Sequence, residues 1–269
     1  MNIYYNKECN DPVVNALKDH SALFASPNFI FLDSYTDNKD GYVIDCGAHI
    51  GTYSAIPAQN NRKVLAIEAS CENFNLLCQT FKHHDNVILK NEILLDTVKP
   101  CDFQDHHSPA GMVDLSSSKK KSNYLDNILK DLDIPVSSIK YDIEGSEPLA
   151  LIGSQNTIQK WKPPLLIEVN GYCLSKYNFN VYMIFHILDK LGYKYFIQDG
   201  DKIRLIQKNK FFPICVGDVL AIHKDHTENI SYLDPYNDKE LLDVLNKNYH
   251  SSVNVCKEYF KKLYADFSV

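Results

Sequence analysis

Short apolar runs alternate with segments of helical period along most of the chain. The β-branched run Tyr42–Cys46 predicts a first strand, and the runs Lys63–Ile67 and Asn86–Leu95 predict the next two. Apolar positions three and four residues apart predict helices over Tyr53–Ala58 and Glu72–Phe81. Because strands that alternate with helices pair in parallel, this order predicts an α/β fold with a doubly wound, mostly parallel sheet and helices on both faces.

The second half of the chain continues this alternation and then changes it. Helices are predicted over Tyr124–Leu132, Leu149–Lys160 and Val181–Leu191, and strands over Ser138–Tyr141 and Leu165–Ile167. Three further strands then follow with no helix between them, which predicts an antiparallel edge of the sheet. They are Tyr193–Gln198, Ile203–Gln207 and Asp218–His223.

The pattern also divides the chain into three parts. Residues 1–40 predict a helical cap on the main sheet, residues 41–225 form the main domain, and residues 226–269 predict a helical extension that serves as a cap or as a homo-oligomer contact. Within the main domain, the polar segment Asp96–Ser122 predicts an irregular loop over the carboxyl edge of the sheet. His106 and His107 lie in this loop, and we interpret them as solvated, because two adjacent histidines cannot face one site from a regular strand.

Composition narrows the class of protein. The chain has 269 residues, of which 45% are hydrophobic and 23% charged, so it can bury a full core, and disorder is disfavoured. A formal net charge of -6 gives no basic surface for nucleic acid, and the run Lys119–Lys121 is interpreted as a solvated loop. The eight cysteines are scattered without a C-x-x-C pair, and no apolar run approaches the ~18 residues that span a bilayer. These features predict a cytoplasmic protein with reduced thiols and no membrane span.

The most informative local sequence follows the first strand. Asp45 ends the apolar run of that strand, and Gly47 and Gly51 then lead into a helix with the spacing Gly-x-x-x-Gly. Glycines at the carboxyl edge of a parallel sheet let the main chain approach a ligand, so this loop predicts a nucleoside-cofactor site. The phosphate-binding fingerprint G-x-G-x-x-G is absent, which disfavours a dinucleotide and favours a cofactor with a charged amino-acid part and no phosphate.

An acidic residue stands at the tip of the second strand. Glu68 lies about twenty residues after the glycine loop, where a carboxylate can accept hydrogen bonds from two ribose hydroxyls. The alternative is a structural role for Glu68 as a helix cap.

A second group of acids ends the two strands that follow. Asp142 and Glu144 are two residues apart and would share one face of an extended chain, and Glu147 begins the next helix. Glu168 and Asn170 end the neighbouring strand. Asp142, Glu168 and Asn170 together are an oxygen ligand set of the kind that Mg²⁺ or Mn²⁺ prefers. The alternative is that these carboxylates bond main-chain amides or orient a substrate.

Four stretches resemble the FkbM-type methyltransferases in order and spacing. They are Tyr42–Gly51, Ala66–Ala69, Ile139–Glu147 and Leu166–Val169, and Asp-x-Glu-Gly-x-Glu is the most specific motif among them. The resemblance covers roughly Gly41 to Asn170 and departs from the family pattern at His49, where Asn is common, and at Ala69, where Pro is common. It implies a Rossmann-like class I methyltransferase fold and S-adenosylmethionine as cofactor.

The resemblance also implies roles for individual residues. The methionine end of the cofactor would lie against Asp45, Gly47 and Gly51, with His49, Thr52 and Tyr53 nearby; Glu68 would hold the ribose, and Asn91 and Glu92 the adenine. The catalytic set would be Asp142, Glu144 and Glu168. Asp142, Glu168 and Asn170 also resemble, by strand position, the metal ligands of catechol-type O-methyltransferases.

Many members of that family are sugar O-methyltransferases, so the implied reaction is methyl transfer to a sugar hydroxyl of a nucleotide sugar or glycan. In this hypothesis a vicinal diol chelates a divalent metal at Asp142 and Glu168, and Glu144 or a nearby histidine is the base. The alternatives are a protein or RNA methyltransferase with the same cofactor site and a non-catalytic nucleoside-binding module. An NAD-dependent oxidoreductase is disfavoured by the missing phosphate-binding glycines.

Overall fold

The structure is a computed structural model. It describes residues 2–6, 12–20, 32–104, 111–130, 132, 134–199, 202–207, 216–228 and 230–235. The predicted extension over 226–269 lies mostly outside the described residues, and so do His106 and His107.

The eight predicted strands are present in the predicted order, and three short strands, β4 to β6, were not predicted. In chain order they are β1 (Tyr42–Cys46), β2 (Val64–Glu68), β3 (Val87–Asn91), β4 (Pro100–Gln104), β5 (Met112–Asp114), β6 (Lys120–Lys121), β7 (Val136–Tyr141), β8 (Leu165–Asn170), β9 (Tyr193–Asp199), β10 (Lys202–Leu205) and β11 (Val216–His223). The third strand is shorter than predicted, because the chain after Asn91 leaves the sheet.

Helices lie between the strands of the main sheet as far as β9. They are α1 (Pro12–His20), α2 (Thr52–Gln59), α3 (Cys71–Phe81), α4 (Leu125–Lys130), α5 (Glu147–Ile152), α6 (Gln155–Trp161), α7 (Gly171–Lys176) and α8 (Val181–Lys190), and a 3₁₀ turn covers Lys224–His226. The single helix predicted over Leu149–Lys160 is wrong, because the chain breaks at Gly153 and Ser154 into α5 and α6. The short helix α7 has no counterpart among the predicted elements.

Eight strands form one sheet in the order β10-β9-β11-β8-β7-β1-β2-β3. The pairs from β8 through β7, β1 and β2 to β3 are parallel, whereas β11 is antiparallel to β8 and β9, and β10 to β9. The predicted doubly wound sheet with an antiparallel edge is therefore confirmed. The chain builds outward from β1 to β3 and then returns to β7, so the switch point of this topology lies between β1 and β7, where open α/β sheets bind ligands.

Helices cover both faces of this sheet. On one face, Ala55 and Ala58 of α2 and Leu77 and Phe81 of α3 pack on β2. On the other face, α4, α5, α6 and α8 pack on the central strands, with Tyr141, Leu151 and Phe185 among the fully buried side chains. No helix among the described residues is long and apolar enough to cross a bilayer.

Residues 32–40 of the amino-terminal segment are tied to the sheet at the edge opposite the glycine loop. Leu32 is fully buried against β9, β11 and α2. Asp33 pairs with Arg62, and the Thr36 hydroxyl donates to the main-chain oxygen of Ser137 at 2.8 Å. These contacts account for the packing of residues 32–40 without a functional role.

The predicted irregular loop over Asp96–Ser122 is wrong. In its described part, β4 pairs with both β5 and β6 in an antiparallel sheet of three short strands, which we call the small sheet. Cys101 and Val113 bury their side chains against Ile93, Leu95 and Leu149, so the small sheet packs on the main domain. Local sequence did not reveal it, because its strands are short and polar and their pairing joins residues about ten to twenty positions apart.

Candidate active site

The glycine loop leaves β1 in a conformation that its sequence permits. Gly47 and Gly51 have φ of 84° and 94°, in the left-handed region that favours glycine, and His49 has φ 53°. A Cβ at Gly47 would overlap the main-chain carbonyl oxygen of Asp142, and one at Gly51 would meet the Phe81 ring. The loop is therefore in close contact with the end of β7 at the switch point.

Glu68 closes the other side of the loop from the tip of β2. Its Oε2 accepts the main-chain N–H of His49 at 2.7 Å, and its Oε1 accepts that of Ser70 at 2.8 Å. Burial raises the pKa of Glu68 from its ordinary value, and the two main-chain N–H groups oppose that rise. Each carboxylate oxygen can accept a second hydrogen bond, so the position suits both a loop brace and a ribose contact.

The remaining residues predicted for the cofactor occupy different surroundings. Asn91 pairs with Glu68 across β2 and β3, and its side-chain amide donates to the main-chain oxygen of Glu68 at 2.8 Å. Glu92 follows directly, and its main-chain N–H donates to the same oxygen at 3.2 Å. Thr52 is buried, and Tyr53 is buried with Val43 and Leu166, so Tyr53 contributes to the core.

Asp45 is fully buried and partnered by protein side chains. Its Oδ2 accepts the Ser54 hydroxyl at 2.6 Å, and its Oδ1 lies 3.5 Å from the Nζ of Lys140. The same Nζ lies 2.9 Å from Oδ2 of Asp142 and 5.4 Å from the centroid of the Tyr53 ring. Burial by itself lowers the pKa of Lys140, but the carboxylates of Asp142 and Asp45 outweigh it and raise that pKa, so Lys140 is charged at neutral pH.

The structure brings Asp142, Glu144 and Glu168 together. One carboxylate oxygen from each can be chosen so that all three lie within 4.8 Å of one another. Asp142 and Glu168 continue the paired register of β7 and β8, and Asp218 of β11 lies opposite Glu168. Glu144 joins them through a left-handed turn with φ 57°, and not through the extended chain that the spacing predicted.

Glu144 and Glu168 both have pKa values raised above that of an ordinary glutamate. Burial, with the charges of Asp142 and Glu144, raises the pKa of Glu168 well above its ordinary value. Burial and Asp142 also raise the pKa of Glu144, against the thiol of Cys173, which donates to its Oε2 at 3.3 Å. Because like charges cannot all be ionised so close together, the group favours a bound cation or a retained proton.

Glu147 stands just behind this group at the first position of α5. Its Oε1 accepts the main-chain N–H groups of Ile143 at 3.0 Å and Gly145 at 3.1 Å, while its buried Oε2 has no hydrogen-bond partner among the described residues. Burial raises the pKa of Glu147 to about 7, against those two N–H groups. Glu147 therefore shapes the turn that carries Glu144.

Asn170 is placed differently from the three acids. Its side-chain oxygen accepts the main-chain N–H of Cys173 at 3.3 Å, and so caps α7. A Cβ at Gly145 would overlap the main chain of Cys173, which shows that α7 packs directly on the turn of Glu144. Glu144 stands beside Asp142 and Glu168 as the third carboxylate of the group.

Sequence reasoning missed two residues of this region. Lys140 and Asp142 are two apart on a strand and so share one face, a signal that was present in the sequence. Asp218 could not be found in this way, because its place opposite Glu168 depends on the antiparallel register of β11. The small sheet also reaches this edge, since the main-chain N–H of Val113 donates to the Tyr177 hydroxyl at 2.9 Å.

This arrangement combines two kinds of surface at one switch point. A glycine loop braced by Glu68 offers main chain to a ligand on the β1–β2 side, and a group of three carboxylates lies on the β7–β8 side. Such a group can bind a hard cation, accept a proton from a hydroxyl, or do both. Hard cations prefer oxygen ligands, so the donor set fits Mg²⁺ or Mn²⁺.

The chain was compared with protein families, curated sequences and solved structures. A family model described as the methyltransferase FkbM domain matches residues 45–195. No curated protein sequence matches the chain. Among solved structures, the methyltransferase FkbM from Methylobacillus flagellatus is 20% identical with a TM-score of 0.46, and the match covers 69% of this chain and 44% of that one.

Two other solved structures share less sequence. The magnesium protoporphyrin IX methyltransferase from Synechocystis with bound SAM is 12% identical with a TM-score of 0.47, over 82% of this chain and 88% of that one. An rRNA methylase from Streptococcus thermophilus is 14% identical with a TM-score of 0.41, over 72% of this chain and 92% of that one.

The chain spans less than half the length of the Methylobacillus protein. Since the family model covers more than half of the present sequence, including the glycine loop and both acid-bearing strand ends, the chain belongs to the methyltransferase FkbM domain family.

Proposed function

We propose that this protein is an S-adenosylmethionine-dependent O-methyltransferase that acts on a sugar hydroxyl of a nucleotide sugar or glycan, with Mg²⁺ or Mn²⁺ assisting. The observation that carries the proposal is the group of Asp142, Glu144 and Glu168, which adjoins the glycine loop of a family methyltransferase domain. Gly47 lies against the main chain of Asp142, so an acceptor held by the acids would be close to a methyl donor held by the loop.

Each half of the site has a defined part in this proposal. Gly47 and Gly51 let the main chain approach the methionine end of the cofactor, with His49 in the loop and the buried side chains of Asp45, Thr52 and Tyr53 on the flanking strand and helix. Glu68 accepts the ribose hydroxyls through its free lone pairs, and Asn91 and Glu92 border the adenine. The cofactor supplies an activated methyl group on a sulfonium.

The acids hold and deprotonate the acceptor. A divalent cation would be held by Asp142 and Glu168, with Asn170 as a further ligand through the second lone pair of its amide oxygen, and it would supply charge that lowers the pKa of a bound hydroxyl. Glu144 is the proposed base, since its raised pKa matches proton transfer near neutral pH better than that of an ordinary carboxylate.

The experiment that tests this function uses methyl-labelled S-adenosylmethionine. The protein is incubated with it and with a panel of nucleotide sugars, oligosaccharides, a peptide mixture and RNA, with Mn²⁺ or with EDTA. We expect label on a sugar oxygen only with Mn²⁺. Label on peptide or RNA would overturn the acceptor class, and full transfer in EDTA would overturn the role of the metal.

Two variants separate catalysis from cofactor binding. Asp142→Asn should abolish transfer while S-adenosylhomocysteine still binds, because Asp142 acts on the acceptor side. Asp85→Asn, at an exposed turn before β3, is the matched control and should leave both unchanged.

A further inference from the structure

Lys140 is a buried cation to which the proposed methyl transfer assigns no part. It lies on β7 with a side chain 9% exposed, between Oδ2 of Asp142 at 2.9 Å and Oδ1 of Asp45 at 3.5 Å. A lysine is seldom buried unless its charge is paired. Here the pairing links Asp45, next to the glycine loop, with Asp142, in the acid group.

The position of this ammonium bears directly on cation binding. Any cation held by Asp142, Glu144 and Glu168 must share Asp142 with Lys140, which already binds one of its two oxygens. The ammonium also repels a second cation placed beside the same carboxylate. The acid group therefore meets two competing cations, one of which belongs to the protein.

We propose that Lys140 is the protein's own counter-ion for Asp142, and that it holds this carboxylate in place while it limits the affinity of the acid group for divalent cations. Lys140 is thus a positioning residue that acts through Asp142. That the acid group is a cation site rests on the proposed function. Cation binding is measured without methyl transfer, so the two proposals can fail separately.

The test is a titration of the protein with Mn²⁺ alone, in which the electron paramagnetic resonance signal of free Mn²⁺ measures how much is bound. Lys140→Met keeps an unbranched side chain that is one atom shorter and removes its charge, so the dissociation constant for Mn²⁺ should fall about tenfold or more. Lys140→Arg keeps the charge and the ion pair and should change that constant by less than about threefold. Lys162→Met, which removes the exposed ion pair to Asp225 at the opposite edge of the sheet, is the matched control and should have no effect.

Two double variants test whether the gain in Mn²⁺ affinity depends on Asp45 or on Asp142. Lys140→Met leaves the buried carboxylate of Asp45 without its cation, so the double variant Lys140→Met/Asp45→Asn is measured as well and should show the same gain. Adding Asp142→Asn to Lys140→Met should abolish the gain, because the effect is exerted through Asp142.

The outcomes are decisive in either direction. Tighter Mn²⁺ binding by Lys140→Met supports the proposal even if the unmodified protein binds none. Equal affinity in the two proteins, no binding by either, or a gain that persists without Asp142 overturns it. Calorimetry with S-adenosylhomocysteine runs in parallel, and absence of binding there would count against the proposed methyl transfer without altering the Mn²⁺ result.

Discussion

The carboxylates on the two sides of the carboxyl edge of the sheet have different kinds of partner. On the β1–β2 side, Oδ2 of Asp45 accepts the Ser54 hydroxyl, and both oxygens of Glu68 accept main-chain N–H groups. Oδ1 of Asp45 has no hydrogen-bond partner among the described residues, but it lies 3.5 Å from the ammonium of Lys140. On the β7–β8 side, three carboxylates face one another, and the buried Oε2 of Glu168 has no hydrogen-bond partner among the described residues. The first half is preorganised by the chain's own donors, whereas the second is electrostatically incomplete until a cation or a proton joins it.

The strongest test of this comparison is at Gly47, where the two halves touch. Gly47→Ala would place a Cβ on the carbonyl oxygen of Asp142 at a φ of 84°. We expect the free energy of unfolding to fall by about 4 kcal/mol, from left-handed strain and overpacking together. Urea unfolding measures this loss. At Gly171 a Cβ meets nothing within 4 Å, so Gly171→Ala should change stability by no more than about 1 kcal/mol, and equal losses at both glycines would contradict the contact.

The pH dependence of stability tests the raised pKa of Glu147, which lies behind the three carboxylates. Its folded-state pKa of about 7 lies above the ordinary value of 4.5, so the folded state holds a proton that the unfolded state releases first. Its stabilising contribution is complete below about pH 4.5 and is lost as pH rises through about 7, a change of about 3 kcal/mol. Glutamine has no titratable proton, so Glu147→Gln removes this pH dependence. The difference in free energy of unfolding between Glu147→Gln and the unmodified protein, measured by urea titration, should therefore change by about 3 kcal/mol in favour of the variant from pH 4.5 to pH 8. A difference that stays constant with pH would contradict the raised pKa of Glu147.

Glu68 tests whether the first half is preorganised for a ligand. Glu68→Gln keeps the shape of the side chain but loses the charge and one of the two acceptor oxygens that brace His49 and Ser70. We expect roughly 50-fold weaker binding of S-adenosylhomocysteine by calorimetry, which corresponds to loss of one or two charge-assisted hydrogen bonds. Glu72→Gln changes an exposed glutamate four residues along and should bind normally. Unchanged affinity in Glu68→Gln would leave Glu68 with a structural role only.

The smallest expected effect concerns the small sheet, which reaches both halves. The main-chain N–H of Val113 in β5 donates to the Tyr177 hydroxyl, and Lys120 in β6 lies 3.5 Å from the sulfur of Cys71 at the start of α3. Tyr177→Phe removes the first contact and should lower the free energy of opening at the Val113 amide by about 1 kcal/mol in hydrogen exchange. Tyr182→Phe, which changes a partly exposed tyrosine of α8, should leave that exchange unaltered.

Elements with a clear local period were predicted well. The strand Tyr42–Cys46 was predicted to the residue, and the antiparallel edge follows from strands without intervening helices. The glycine loop was found because positive φ at Gly47 and Gly51 demands a residue type that is visible in the sequence. These features depend on interactions between near neighbours in the chain, which composition and spacing encode directly.

Features that depend on distant partners were predicted poorly. The small sheet pairs Asp102 with Asp114 across a long polar connection. Glu144 joins the acids through a left-handed turn, whereas its spacing from Asp142 suggested an extended strand. In both cases packing against the rest of the domain outweighs the local pattern.

The sequence by itself determined the α/β alternation, the glycine loop and the presence of acids at the ends of β2, β7 and β8, because each is a property of residue type at short spacing. Only the tertiary structure decided how those acids are partnered. It gave Asp45 and Asp142 a shared lysine, used Asn170 to cap α7, and brought Glu144 beside Glu168. The physical reason is that charge interactions depend on distances across strands, which follow from register and packing and not from position along the chain.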